Sequence, residues 1–541
     1  MDKAAEKFSA VKRYHEATKH HLQRYAAGPE ALDWDDQPEA FRWYESAEKI
    51  DLPLLESNSP GSADQSYAAL HTPATIAPQP LTVATIASLF ELSLGLSAWK
   101  EYGDARWALR CNPSSGNLHA EEGYAIINDV DQLTAGVYHY LSRDHQLEQR
   151  CCFAAPALPD NHFLIGLSSI HWREAWKYGE RAFRYCQLDI GHAIAAIRYA
   201  AATLGWRVTV VEQASDSDIA TLLGTNREQD YQQGEKEHAD LLLSITTNTA
   251  PQEIDLTQAI TASRKGRWSG VANLLSPKHL YQWEIIDDVT RACEKPATAV
   301  EQQTPFDFPE PLPSECTLSA ATLIRQRRSA QAFDDKTHIT ADAFYRMLDM
   351  TLPRRGTPPW DSISAASDIN LMIFVHRIEG LRPGMYALLR NPAMFETFKT
   401  ATGRETLQWQ PVAGAPLHLP LYILVNANSQ KVAATLSCHQ GIAAQSCFSL
   451  GMIADCQSIK QHPWHYRRLY WEAGMIGQVL YLEAEAAGIR GTGIGCYFDD
   501  AVHELLGITD QRFQSLYHFT VGGPLVDERI ATIPPYAHLK R

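Results

Sequence analysis

Apolar positions recur along the chain at two spacings, and the longer spacing stands out first. "FRYCQLDIGHAIAAIRYAAATLGW", around Asp189, and "YRRLYWEAGMIGQVLYLEAEAAGI", around Glu472, each run on a helical period. Each has an acidic residue near its start and a glycine at its end, where a left-handed cap closes a helix. A shift of 283 residues superposes Phe183 on Tyr466, Arg184 on Arg467, Asp189 on Glu472, Gly191 on Gly474 and Gly205 on Gly488. Two long helices are predicted, and their small residues suit close packing against another backbone. "LTVATIASLFELSLG" from Leu81 and "ITADAFYRMLDMTLP" from Ile339 each predict a capped amphipathic helix. "GVYHYL" (136–141), "GMYALL" (384–389) and "GYAII" (123–127) read as strands, whereas residues 437–456, "SCHQGIAAQSCFSLGMIADC", read as a buried helix.

The paired elements come in the same order twice, which makes the chain an internal duplication. Its 541 residues are too many for one ordinary core. A Pro-rich polar stretch, "CEKPATAVEQQTPFDFPEPLPSEC", marks the break. The expected division is an N-terminal arm over 1–70 wrapping the first domain, a first domain over 71–292, a linker over 293–318 and a second domain over 319–541. The fold class expected is α+β: two tandem domains, each a mainly antiparallel central sheet flanked by helices, joined as an intrachain pseudo-dimer.

Charge and composition narrow the function. A net charge of −15 argues against nucleic acid or an anionic membrane as partner. The ten cysteines include no C-x-x-C pair, so they read as core thiols in a reducing compartment rather than a zinc or redox centre. Neither a signal-like apolar segment at the start nor an eighteen-residue apolar run is present, and a cytoplasmic protein is expected.

The chemistry lies where the halves differ. "RRSAQAF" brings Arg327, Arg328 and Ser329, forked donors and a hydroxyl suited to a phosphate; the first half has Ala69, Leu70 and His71 there. "GTGIG" (491–495) would let backbone approach a flat ligand, or simply turn the chain after a helix; its counterpart, "VTVVE" (208–212), has no glycine. A dinucleotide motif is excluded, because the residues before these glycines read as helix and not as strand. Conversely "PSSGN" (113–117), a polar turn able to hydrogen-bond a heteroaromatic edge, has only "PRRGTPPWDS" (353–362) in a similar place. The motifs are complementary.

Taken together, these residues resemble the FMN-dependent nitroreductase superfamily, from about Arg13 to Ile533. The tandem form, "GVYHYL", "PGMYALL" and "WKYGERAFRYCQLDIGHAIAA" are similar to its azoline-dehydrogenase-like branch, the thiazoline and oxazoline oxidases. The resemblance implies a homodimer-like arrangement with FMN between halves. Arg327, Arg328, Ser329, Gly493, Ile494 and Gly495 would come from one half, and Pro113, Ser114, Ser115 and Asn117 from the other. Arg327 and Ser329 would hold phosphate or ribityl, Gln331 would stand near the pyrimidine edge where the family often has Lys, and Gly495 would approach N5. Arg529 would reach the phosphate. One site would survive and its mirror would be lost.

The implied reaction is hydride transfer from NAD(P)H through the flavin to a small organic acceptor, with no side-chain acid or base required. Two alternatives stand beside it. One is oxidation of an azoline-like substrate with FMN and O₂, for which Lys100 (expected at the surface near a helix end) and Tyr138 or Tyr386 are candidate bases. The other is a flavin-binding or scaffold protein without turnover. His15, His20 and His21 are expected to be solvated, no metal site is expected, and further dimerisation is left open.

Overall fold

The computed structural model describes residues 3–55, 65–72, 75–232, 234–247, 254–299, 306–364 and 367–539. Parts of the expected arm and linker, residues 56–64 and 300–305, lie outside them. Two antiparallel sheets dominate. In the first, the path runs Arg267–Trp268, Gln146–Cys152, Gly136–Leu141, Glu121–Ile127, His162–Ser169, His238–Thr246, Arg207–Val210. In the second it runs Gln410–Pro411, Leu421–Asn426, Gly384–Leu388, Ile369–Val375, Phe448–Asp455, Phe513–Gly522, Arg490–Ile494. From Gln146–Cys152 and Leu421–Asn426 onward the two paths match in chain order, while the strands outside these, Arg267–Trp268 and Gln410–Pro411, come from different places in the two halves. Central strands such as His162–Ser169 and Phe448–Asp455 are buried along their whole length, as strands covered on both faces are.

The long helices Ala182–Thr203 and His465–Ala486 make the largest helix–helix contact in the molecule, and it joins the two halves. Glycine makes this contact possible. A Cβ on Gly191 would lie 2.2 Å from the Trp471 carbonyl oxygen, and one on Gly474 would lie 2.2 Å from that of Leu188. Any side chain at either position would push the backbones apart. Each helix also carries its acidic residue to an equivalent task. Asp189 accepts from the amide and hydroxyl of Ser115, and Glu472 accepts from the hydroxyl of Ser367 and the amide of Asp368.

A third, three-stranded sheet crosses between halves: Ala531–Ile533 pairs with Leu96–Tyr102, which pairs with Ala105–Arg110. The arm crosses too, instead of wrapping only the first domain. Its helix Lys3–Ala17 packs on Glu284–Ala292, and its strand Glu48–Asp51 extends the first sheet at Gln146–Cys152. Yet His15 bonds Tyr466 and Gln514, and His20 bridges to Phe498, all in the second half. Both histidines are buried, against the expectation of solvation; only His21 keeps substantial exposure.

Several local expectations are corrected. Residues 437–456 are no single helix: they hold the short helix Gly441–Gln445 and the strand Phe448–Asp455. An apolar run of this length cannot distinguish strand from helix by periodicity. The "GTGIG" glycines are not a turn either, since Arg490–Ile494 is the edge strand of the second sheet. Lys100 belongs to the strand Leu96–Tyr102 and not to a helix end. The helix Val83–Ser93, closed by a Thr82–Thr85 capping box, is buried on nearly every side. The glycine caps hold: Gly205 and Gly488 have φ of 67° and 73°.

Candidate functional site

A cleft of about 460 Å³ opens where the end of the second sheet meets the first half. Eleven of the twelve residues singled out in the sequence line it: Pro113, Ser114, Ser115, Asn117, Arg327, Arg328, Ser329, Gln331, Gly493, Ile494 and Gly495. The size suits one cofactor-sized ligand. Arg529 is not among them. It is exposed, paired with Asp527 at 2.7 Å and set over the Tyr102 ring.

At one end sits a cluster of cations. Arg327 caps the helix Ala320–Gln326 and is 3 % exposed. Its Nη2 donates to the Arg110 carbonyl at 3.0 Å, its guanidinium lies 5.0 Å from the Tyr481 ring centre, and its buried Nε has no partner. Arg328 is braced differently from expectation, with its fork donating to the carbonyls of Arg325, Arg327 and Ser97. Burial and the adjacent Arg327 bring the Arg328 guanidinium down to about 10. Lys100 also lines the cleft; burial, then Arg328 and Arg490, lower its ammonium. A desolvated set of cations that disfavour one another is poised for an anion.

Along the cleft wall, the Gly493 amide donates to the Tyr481 hydroxyl at 3.0 Å, and that hydroxyl also bonds Ser329 at 2.9 Å. Tyrosines lie directly against this strand. A Cβ on Gly493 would meet the Tyr517 hydroxyl at 1.8 Å, and one on Gly495 would meet the Tyr185 ring at 2.4 Å. The Gly495 carbonyl accepts from Arg181 (2.8 Å) and Tyr185 (3.1 Å). Only the backbone of Ile494 faces the cleft, because its side chain is buried in the core of the second half. Gln331 is exposed at the rim.

The opposite wall is the 113–117 turn, and its side chains are partly committed to holding it. Ser115 is bound to Asp189, the Asn117 amide nitrogen donates to the Ala108 carbonyl at 2.8 Å, and the Ser114 hydroxyl accepts from the His119 amide. Gly116 and Asn117 have φ near 60°, where glycine and asparagine are the tolerated residues. Burial, then Glu121, pushes the Asp189 carboxyl well above its ordinary range.

Sequence reasoning missed the aromatic lining of Tyr178, Tyr185, His192, Tyr481 and Tyr517. A signal existed: Tyr185, Asp189 and His192 recur at i, i+4, i+7, a polar stripe on one face of a helix otherwise rich in small residues. The candidate bases divide. Lys100 reaches the cleft, whereas Tyr138 and Tyr386 bond the carbonyls four residues before them, Thr134 and Arg382, in the loops leading into their strands.

At the equivalent place on the other side of the duplication, side chains pack together. There the turn Trp360–Ser362 packs on the edge strand Arg207–Val210, and Arg198 donates twice to Asp361 at 2.8 Å. Arg198 occupies the helix position matching Tyr481. Among the described residues, no group of three or more His, Cys, Asp or Glu could hold a metal ion, and no helix is long and apolar enough to cross a membrane. All ten cysteines are free thiols.

The residues present fit FMN. A buried guanidinium with an unpartnered nitrogen faces the cleft with other cations behind it, which suits a phosphate. Side-chain-free backbone and tyrosine rings offer a surface for a flat heteroaromatic group. Two like-ordered antiparallel sheets meeting at such a cleft define a class of tandem α+β proteins with their site at the joint. The profile of the nitroreductase family matches residues 324–523. Two similar proteins are each named "putative nitroreductase". One, from Methanocaldococcus jannaschii, is 25 % identical over 155 residues, 27 % of this chain and 75 % of its own. The other, a crystal structure from Anabaena variabilis, is 21 % identical with a TM-score of 0.67, covering 95 % of this chain and 99 % of its own. Residues 324–523 thus match the nitroreductase family, and the chain as a whole shares the fold of the Anabaena structure.

Proposed function

We propose that the protein is an FMN-dependent oxidoreductase of nitroreductase type, with one flavin site in the cleft between its halves, working as an intrachain pseudo-dimer. The observation that carries this is the meeting in one cleft of motifs from opposite halves, with the Arg327 Nε buried and unpartnered beside them. FMN held there would supply hydride and electron transfer, the reaction being between NAD(P)H and a small organic acceptor. Arg327 binds the phosphate. Tyr481 fixes the Gly493 amide and the Ser329 hydroxyl in one arrangement, so the wall is set before ligand arrives. The 113–117 turn, held by Asp189, closes the other side and limits water.

The test is flavin released per chain and its absorption spectrum. About one FMN per chain, lost in Arg327→Ala and reduced in Asn117→Ala, supports the reading; a chain that takes up no FMN when soaked in it overturns it. One observation favours a second reading, an O₂-dependent oxidation of azoline-like substrates: Lys100 lines the cleft with its ammonium lowered, as a base needs. Reduction of the bound flavin by NAD(P)H at a catalytic rate selects the first reading, and reduction by a thiazoline or oxazoline substrate, lost in Lys100→Met, selects the second.

A further inference from the structure

Next to Gly495, at the edge of the cleft, two cysteines that are 58 positions apart in sequence are neighbours. Cys496 lines the cleft, and Cys438 lies in the loop after the helix Gln430–Leu436. Each thiol acts directly on the other. Hydrogen bonds hold their segments together on both sides: the Gln440 side-chain amide donates to the Cys496 carbonyl at 3.2 Å, and the Phe498 amide donates to the Leu436 carbonyl at 2.8 Å. Cys438 and His439 both take left-handed backbone, with φ of 52° and 59°, an uncommon conformation for such residues that turns the loop toward the strand. Both cysteines are partly exposed.

The surroundings differentiate the two sulfurs. The neighbouring Cys438 thiol, with His20 and Arg181 acting the same way, brings the Cys496 thiol down to about 5 against the opposing effect of burial, while Cys438 is pushed up. The surroundings thus bias Cys496 toward thiolate and Cys438 toward the thiol that can resolve it, the pairing found in oxidisable dithiols.

We propose that Cys438 and Cys496 form a hydroperoxide-oxidisable dithiol, a modification site that closes to a disulfide and staples the 437–440 loop to the end of the glycine strand. The Cys496 thiolate attacks one peroxide oxygen. The O–O bond breaks, hydroxide leaves and takes up the proton that Cys496 had released, and Cys496 becomes a sulfenic acid. Cys438 then attacks that sulfur; the S–S bond forms, the S–O bond breaks, and the departing oxygen leaves as water with the Cys438 proton. Two thiols and one peroxide give one disulfide and two waters. The inference stands apart from the flavin reading, since no step uses the flavin.

The experiment treats the full chain, with and without added FMN, with hydrogen peroxide, alkylates the remaining thiols and maps the peptides by mass. Expected are a Cys438–Cys496 linked peptide reversed by dithiothreitol, and Cys496 reacting about tenfold or more faster than the other partly exposed Cys152, Cys316 and Cys456. In Cys438→Ser, dimedone should trap sulfenic acid at Cys496; in Cys496→Ser, no link should form. Absence of the linked peptide in the unmodified chain, or oxidation of Cys496 to sulfinic acid without a link, overturns the proposal whatever the variants do.

Discussion

The two crevices of this duplicated fold began as equivalent positions and ended as opposites. In one, Gly493, Gly495 and Tyr481 keep the edge strand accessible, and Arg327 brings charge to it. In the other, strand residues with side chains and the Arg198–Asp361 pair fill the space. The difference lies largely in side chains, because six strands of each sheet follow the same path. It teaches that a duplicated scaffold keeps its architecture through its sheets and its helix crossing, while a site depends on short loops and edge strands that can diverge without unfolding either half.

The largest predicted effect tests what should remain symmetrical. Gly191→Val and Gly474→Val each force a side chain against the partner backbone, and each should cost about 3 kcal/mol in urea unfolding. Unequal losses would show that the crossing is not the shared hinge of the fold.

The second prediction exploits a difference inside the sheets. His139 sits between Glu122 and Glu148 at 2.9 Å from each, whereas the matching position in the second half is Ala387. Burial alone would lower the imidazolium, but the hydrogen bonds it donates to Glu122 and Glu148 outweigh it and raise it to about 9. A group raised in the folded state stabilises fully below its ordinary value near 6.5 and loses that contribution as pH climbs through about 9. The loss should be on the order of 3 kcal/mol. Hydrogen exchange between pH 7 and 10 should therefore loosen the strand Gly136–Leu141 more than Gly384–Leu388; equal loosening would refute it.

Third, Arg327→Ala should weaken FMN binding by about 10–100-fold, while Arg198→Ala leaves it within about twofold. A fluorescence titration of both variants decides whether the two crevices differ in function as they do in shape. The smallest effect is expected of Asn117→Ala, about 2–10-fold by the same titration, because its amide nitrogen braces Ala108 and one side of the turn survives on Asp189.

Much of this was legible beforehand because it was local. The paired helices, their glycine caps and the half-motifs are contiguous runs, and contiguous runs report backbone needs. What escaped depends on partners far away in sequence. Arg181 and Arg184 meet Asp499 across the joint, and no spacing in the sequence announces that. His15 and His20 read as solvated because they lie on the arm, yet Tyr466, Gln514 and Asp499 meet them in space. Cys438 and Cys496 lacked any redox spacing for the same reason. Arg529 went the other way: Asp527, two residues before it, pairs with it at the surface.

The little sheet that joins Ala531–Ile533 to Leu96–Tyr102 has a consequence in time. Lys100 and its partner Thr532 are 432 residues apart. At ribosomal speeds of about 5–20 residues per second, the hairpin waits roughly 20–90 s after its own synthesis for the strand that covers it. Through that interval it presents a bare edge carrying Trp99, a template for pairing with a neighbouring nascent chain. Yield of the intact protein should then depend on how crowded the polysome is, and on whether a chaperone reaches that edge first.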